Sequence, residues 1–287
     1  MDGSLPILRP ARRALQFDPT PPASAGRAVQ PVANYSDLAG DLACAFDPVA
    51  FARRAGIEPD EWQRDVLRSP SRQLLLNCSR QSGKSTVTAC LAVHQALYVP
   101  NSLVLVFAPG LRQAVELFRK IVGFYRVAET PDPEAESLQR IELPNGSRIL
   151  ALPGDPATTR GFSAPALVIV DEAAFVQDEL RFAVAPMLAT NGGRFIGLST
   201  PFGKRGWWHK AWAEGGDDWQ RIEVPATACP RISADFLAQE RRNLPTHRFA
   251  SEYECRFVDD ETSVFPSDLV AQAVTHDVAP ILPAFQW

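Results

Sequence analysis

The chain contains no run of about 20 consecutive apolar residues, the length a membrane-crossing helix requires. It also lacks a basic-then-apolar pattern at its start, so no secretory leader is expected and a cytoplasmic protein is. Cysteine is sparse: Cys44, Cys78, Cys90, Cys229 and Cys255 form no C-x-x-C pair and meet no histidine at metal-ligand spacing. A zinc module and a disulfide framework are excluded on that pattern, and reduced, buried thiols are expected. There is no large excess of either charge. A formal net charge of −4 argues against a chain that coats nucleic acid non-specifically, while leaving room for a local basic face. Internal repeats are absent, and no segment of low complexity lies outside the first 34 residues.

What is present has the balance of a globular protein: 287 residues, 46% hydrophobic and 22% charged, enough for one large α/β domain or two small ones. Residues 1–34 carry Pro6, Pro10, Pro19, Pro21, Pro22 and Pro31 and are expected to be a flexible arm, because proline blocks helix interiors and central strands. A helix is predicted from Ser36 to Ala55 with an interruption at Pro48, then another over Glu58 to Leu67 with Trp62, Val66 and Leu67 on one face. From Gln73 the pattern alternates short apolar strands with helices. Strands are predicted at 73–77, 103–108, 167–170, 195–199 and 219–224. Helices are predicted at 84–98 and 111–127, the second with an apolar stripe of Val115, Phe118, Ile121, Val122 and Tyr125. Residues 141–152 read as a hairpin turning at Asn145-Gly146. Beyond Pro230, Ser233 is a candidate N-cap for one helix and Thr246 begins another.

The segment Cys78-Ser79-Arg80-Gln81-Ser82-Gly83-Lys84-Ser85-Thr86 follows an apolar strand and opens a helix, the context a phosphate-binding loop needs. Backbone N–H groups from Ser79 to Thr86 would face the phosphates of ATP, Gly83 would allow close approach, Lys84 would place a positive charge at the β and γ phosphates, and Ser85 would ligate Mg²⁺. The first glycine of the usual G-x-x-x-x-G-K-[ST] pattern is replaced by Cys78. Downstream, Ala166 to Val170 form an apolar strand that ends in Asp171 and Glu172. Asp171 would hold Mg²⁺ through its water shell and Glu172 would polarise the attacking water. Ser199, Thr200 and Pro201 leave another strand and are candidates for sensing hydrolysis. A glutamine at 63 would meet the adenine edge or simply sit on a helix surface. Arg80 and Arg160 are candidates for neutralising the transferring phosphoryl group, with ordinary surface ion pairing as the alternative for each.

These motifs resemble the ATPase domain of the large terminase subunit of tailed bacteriophages over roughly Glu58 to Phe265. The resemblance is carried by Ser79 to Ser85, Val170-Asp171-Glu172-Ala173-Ala174, Ser199-Thr200-Pro201-Phe202-Gly203 and Glu252-Tyr253-Glu254-Cys255-Arg256-Phe257. It implies a P-loop fold of the ASCE type, with a mostly parallel central sheet flanked by helices and a small helical C-terminal subdomain. On this likeness the chain divides into an arm at 1–34, an ATPase core at 35–228, a helical lid or linker at 229–265 and a linker at 266–287. It implies Lys84 and Ser85 on nucleotide and metal, Ser199 to Pro201 as the coupling motif, and Arg80 or Arg160 as an arginine finger. The implied partners are double-stranded DNA, a portal-bearing procapsid, a small terminase subunit and further copies of the chain in a ring, all in the host cytoplasm.

Family members continue into a nuclease. Here Asp259, Asp260 and Glu261 stand about 26 residues before the last one, so a solvated linker and no nuclease activity are expected. For DNA contact, Gly203-Lys204-Arg205-Gly206-Trp207-Trp208-His209-Lys210 mixes basic and aromatic residues. The competing possibility is that Trp208 and Trp212, at i and i+4, pack one helix face on the core. A helicase or remodelling ATPase is the alternative function, although about 115 residues after Glu172 leave little room for a second α/β domain. A nucleotide-binding regulatory subunit without activity is a third, opposed by the presence of both Lys84 and Glu172.

Overall fold

The computed structural model describes residues 35–259 except 129 and 160, together with 269 and 273. The expected arm, the acids Asp260 and Glu261, and nearly all of the 266–287 stretch lie outside the described residues.

The predicted break at Pro48 is a helix restart. Helix α1 (Tyr35–Phe46) stops, Asp47 caps α2 (Pro48–Arg54) by accepting the Val49 N–H at 3.0 Å, and Pro48 occupies the first turn, where a missing N–H leaves no bond unmade. Helix α3 (Glu61–Arg68) starts later than Glu58 because Pro59 precedes its cap, Asp60, whose N–H is taken by Gln63 Oε1 at 3.0 Å.

Among the described residues, eight strands form one sheet: β1 (Gln73–Cys78), β2 (Leu103–Ala108), β3 (Ala135–Glu136), β4 (Arg140–Glu142), β5 (Arg148–Pro153), β6 (Leu167–Asp171), β7 (Arg194–Ser199) and β8 (Gln220–Val224), in the order β3-β4-β5-β2-β6-β7-β1-β8. From β5 to β8 every neighbouring pair is parallel, and the β4–β5 hairpin with β3 adds an antiparallel edge. Parallel neighbours need crossovers, which here include α4 (Lys84–Tyr98) from β1 to β2 and α5 (Leu111–Val127) after β2.

Side chains alternate between the two faces with the strand period of two. Leu74, Leu76, Val104, Val106, Ile169, Ile196 and Leu198 join one core with α2, α4 and α5. Leu75, Leu105, Phe107, Val168, Val170 and Phe195 join a second core with α7 (Asp178–Ala189) and α8 (Gly206–Glu214). Burying both faces explains why the strands read as continuous apolar runs. Helix α4, covered on several sides, is buried nearly all round.

The short α6 (Pro156–Thr159) precedes β6, and α9 (Ala234–Asn243) and α10 (Thr246–Glu254) follow β8, with Ser233 capping α9 through the Phe236 N–H at 3.2 Å. All five cysteines are free and buried. Among the described residues, no helix is long and apolar enough to cross a membrane.

The strand order fixes where the chemistry-bearing residues meet. Strand β7 lies between β6 and β1, with Ser199 opposite Asn77 and Leu198 opposite Asp171. The ends of β1, β6 and β7 therefore open side by side at the carboxyl edge of the sheet, the edge where open parallel sheets bind ligands.

Candidate active site

At the end of β1 the chain is pinned twice, the Ser79 N–H donating to Val224 O at 2.9 Å and the Arg80 N–H to Glu252 O at 3.1 Å. Gln81 (φ 58°) and Gly83 (φ 97°) then adopt left-handed backbone, and α4 opens at Lys84. Among the described residues, no protein acceptor takes the N–H groups of Gln81, Ser82, Gly83, Lys84 or Ser85. Such a curl of unused donors ahead of a helix N-terminus suits an anion. Cys78 replaces glycine without conflict because it is the last strand residue and has no positive φ. Its side chain is fully buried, and burial pushes the thiol well above its usual range. Ser79 is also turned inward, its Oγ 3.9 Å from Cys229 Sγ.

The carboxylates arrive from β6. Ser85 Oγ donates to Asp171 Oδ2 at 3.4 Å, and the Glu172 N–H donates to Asp171 Oδ1 at 3.0 Å. Burial, reinforced by the neighbouring Glu172 charge and opposed by Lys84, pushes the Asp171 carboxyl up to about 6. Glu172 leaves the strand in the left-handed region (φ 48°, ψ 47°), a conformation that costs a side-chain-bearing residue about 1–2 kcal/mol. The resulting turn brings its Oε1 to 3.4 Å from Lys84 Nζ. Ser199 Oγ donates to Glu172 Oε2 at 3.5 Å and accepts the Ala174 N–H at 3.2 Å. Lys84, Ser85, Asp171, Glu172 and Ser199 thus meet in one place.

The flanking residues divide. Thr200 is buried, and the Pro201 carbonyl accepts Ser251 Oγ from α10 at 2.7 Å. Arg80 is held outward on α10 by an ion pair with Glu252. Arg160 lies outside the described residues. Gln63 is 4% exposed, with its carbonyl on Asp60 and its Nε2 only 2.7 Å from where a Cβ on Gly83 would stand. Thr86, in the first turn of α4, donates its N–H to Gly83 O at 3.0 Å, and with Ser79 and Arg80 donating theirs to Val224 O and Glu252 O the expected run of phosphate-facing N–H groups from Ser79 to Thr86 is cut back to Gln81–Ser85. Sequence reasoning missed Asp60, Arg231 and Ser251, and the contact that Glu252 of the quoted C-terminal motif makes with Arg80; their partners lie more than 100 residues away except across the Asp60 cap and the Ser251 link.

One surface expectation is corrected. Trp207 and Trp208 are 7% and 1% exposed and belong to the core under α8, so the aromatic half of the basic-aromatic segment is packing. Trp212 is partly buried against the same core, as the i, i+4 alternative anticipates.

A family model described as terminase large subunit, T4likevirus-type, N-terminal, matches residues 75–272. The chain belongs to this terminase family. Among curated terminase large subunits, that of Escherichia phage T5 is 29% identical over 214 residues, covering 70% of this chain and 48% of that protein. That of Thermus virus P23-45 is 25% identical over 253 residues, covering 75% and 52%. This terminase chain thus spans about half the length of the curated relatives it matches. Among solved structures, the large terminase ATPase domain of Thermus phage P74-26 superposes with a TM-score of 0.65 at 23% identity, over 72% of this chain and 97% of that one. The HK97 bacteriophage large terminase gives 0.61 at 18% identity, over 74% and 55%. At those identities the superpositions establish the fold alone: an α/β domain with a mostly parallel sheet between helices.

Proposed function

We propose that this chain binds ATP with Mg²⁺ and hydrolyses it to drive double-stranded DNA into a procapsid. The observation that carries the proposal is the convergence of Lys84, Ser85, Asp171, Glu172 and Ser199 beneath a loop of unused N–H donors. The loop amides and Lys84 would bind the phosphates, Lys84 exchanging Glu172 for them. Ser85 Oγ and Asp171 Oδ2 lie 3.4 Å apart, two oxygens of the kind a hard cation takes. Mg²⁺, when bound there, supplies charge to offset that developing on the phosphates. Glu172 would orient and deprotonate the attacking water. Ser199, sharing a hydrogen bond with Glu172, would pass the change on through Thr200 and Pro201 to α10. Gln63 would meet the adenine edge, and Arg80 on leaving Glu252, or Arg160 from a neighbouring copy in a ring, would neutralise the transferring phosphoryl group. Procapsid portal, small terminase subunit and host cytoplasm complete the proposed setting.

Glu172→Gln is expected to keep ATP binding while kcat falls by about 10²–10⁴, the range of a general base. Lys84→Ala should instead weaken binding itself, and equilibrium titration beside steady-state assays separates the two. Normal turnover in Glu172→Gln would remove the base assignment. ATPase stimulation by portal-bearing procapsids is expected; stimulation by forked DNA alone would point to a helicase.

A further inference from the structure

Arg231, in the segment between β8 and α9, reaches back across the phosphate loop. Its Nη2 donates to the Ser82 carbonyl at 2.8 Å and to Asp60 Oδ2 at 2.7 Å, while Nη1 donates to Asp60 Oδ1 at 3.1 Å. Asp60, just ahead of α3, thus holds the guanidinium in a two-pronged pairing, which fixes its plane and aims the second Nη2 hydrogen at the loop. The Ser82–Gly83 peptide is trans. In a planar trans peptide the C=O and N–H point in opposite directions, so a carbonyl held toward Arg231 turns the Gly83 N–H away from it. That N–H is one of the donors no protein acceptor takes among the described residues. Gly83 itself lies between Gln63 and Arg231, whose Nη2 would be 3.3 Å from an added Cβ. Three segments distant in sequence therefore meet on one peptide unit.

We infer that Arg231 is a positioning residue for nucleotide binding: it holds the Ser82 carbonyl outward and so aims the Gly83 N–H at the phosphates before nucleotide arrives. Preorganised donors need no reordering on binding, so the effect falls on affinity. This role for Arg231 rests on the proposed ATP site at the same loop.

ADP titration and steady-state ATPase assays on the full chain test it. Arg231→Ala is expected to weaken ADP binding about tenfold, with a similar rise in KM for ATP and a smaller fall in kcat. Arg231→Lys, which keeps one donor but not the fork, should recover part of the loss. The double exchange Asp60→Arg with Arg231→Asp restores an ion pair across the same positions but presents an acceptor to the Ser82 carbonyl. Its ADP affinity is expected to stay as low as that of Arg231→Ala, and it decides the matter if the alanine variant fails to fold. Wild-type affinity in Arg231→Ala, or its return in the exchanged pair, would overturn the inference and leave the nucleotide site standing. A wild-type protein that binds no ADP would remove the site and the inference together.

Discussion

Gly83 shows how narrowly single residues are constrained around the phosphate loop. Its φ of 97° disfavours any side chain, and an added Cβ would meet Gln63 Nε2 at 2.7 Å. Gly83→Ala is expected to lower stability by about 1–3 kcal/mol and to weaken ADP binding, read by thermal melts and titration. Removing Gln63 as well should relieve the contact but not the backbone strain, so only part of the loss should return. The motif residues were legible in sequence because their spacing is local: Lys84 and Ser85 follow Gly83 directly, and Asp171 and Glu172 end one apolar run. Arg231 was not, nor was the pairing of Glu252, whose motif was visible, since nothing near either residue encodes a partner 149 or 172 residues away. The left-handed turn at Glu172 was equally hidden, because glutamate carries no sequence signal for that conformation.

At the scale of elements, β7 and α8 depend on each other. Gly197 sits mid-strand, where a Cβ would lie 2.9 Å from Trp208 Cζ3 and 3.3 Å from Trp207 Cη2, so the missing side chain is what admits the two indoles. Trp207 Nε1 donates to Val176 O at 3.2 Å, tying α8 to the turn after Glu172. Trp208→Ala is expected to destabilise the protein by about 3–5 kcal/mol. A folded variant of unchanged melting temperature but reduced DNA affinity would restore the surface role. Strands and helices with a clear period were legible in sequence, and α4 and α5 have the predicted limits. Helix α7 was not: only Leu180 and Val184 are buried, Phe182 is 68% exposed, and Pro186 interrupts the pattern. Strand β3, two exposed residues on the sheet edge, has too little pattern to read.

Across the whole molecule, α10 reaches both sides of the site. Glu252 holds Arg80 of the loop, Ser251 holds Pro201 after β7, and the Cys255 carbonyl just beyond the helix accepts Asn77 Nδ2 at 2.8 Å. The loop after β1 and the segment after β7 are therefore both tied to one helix. Under the proposed function, Ser251→Ala is expected to reduce the length of DNA packaged per ATP consumed by more than it reduces hydrolysis, measured in a packaging reaction with parallel phosphate release. An equal fall in both would place Ser251 in the chemistry and not in the coupling. The parallel sheet and its helices were legible before the structure, whereas this linkage was not, because it depends on where the chain returns after β8.

The complete burial of the thiols has a practical outcome. With Cys78 and Cys90 at 0% exposure and Cys44, Cys229 and Cys255 at 4%, 2% and 1%, a maleimide dye finds no native target on the folded surface. One cysteine introduced on an exposed face of α9 would then carry a fluorophore alone, so movement of that helix during turnover can be followed without stripping the protein of its own sulfur.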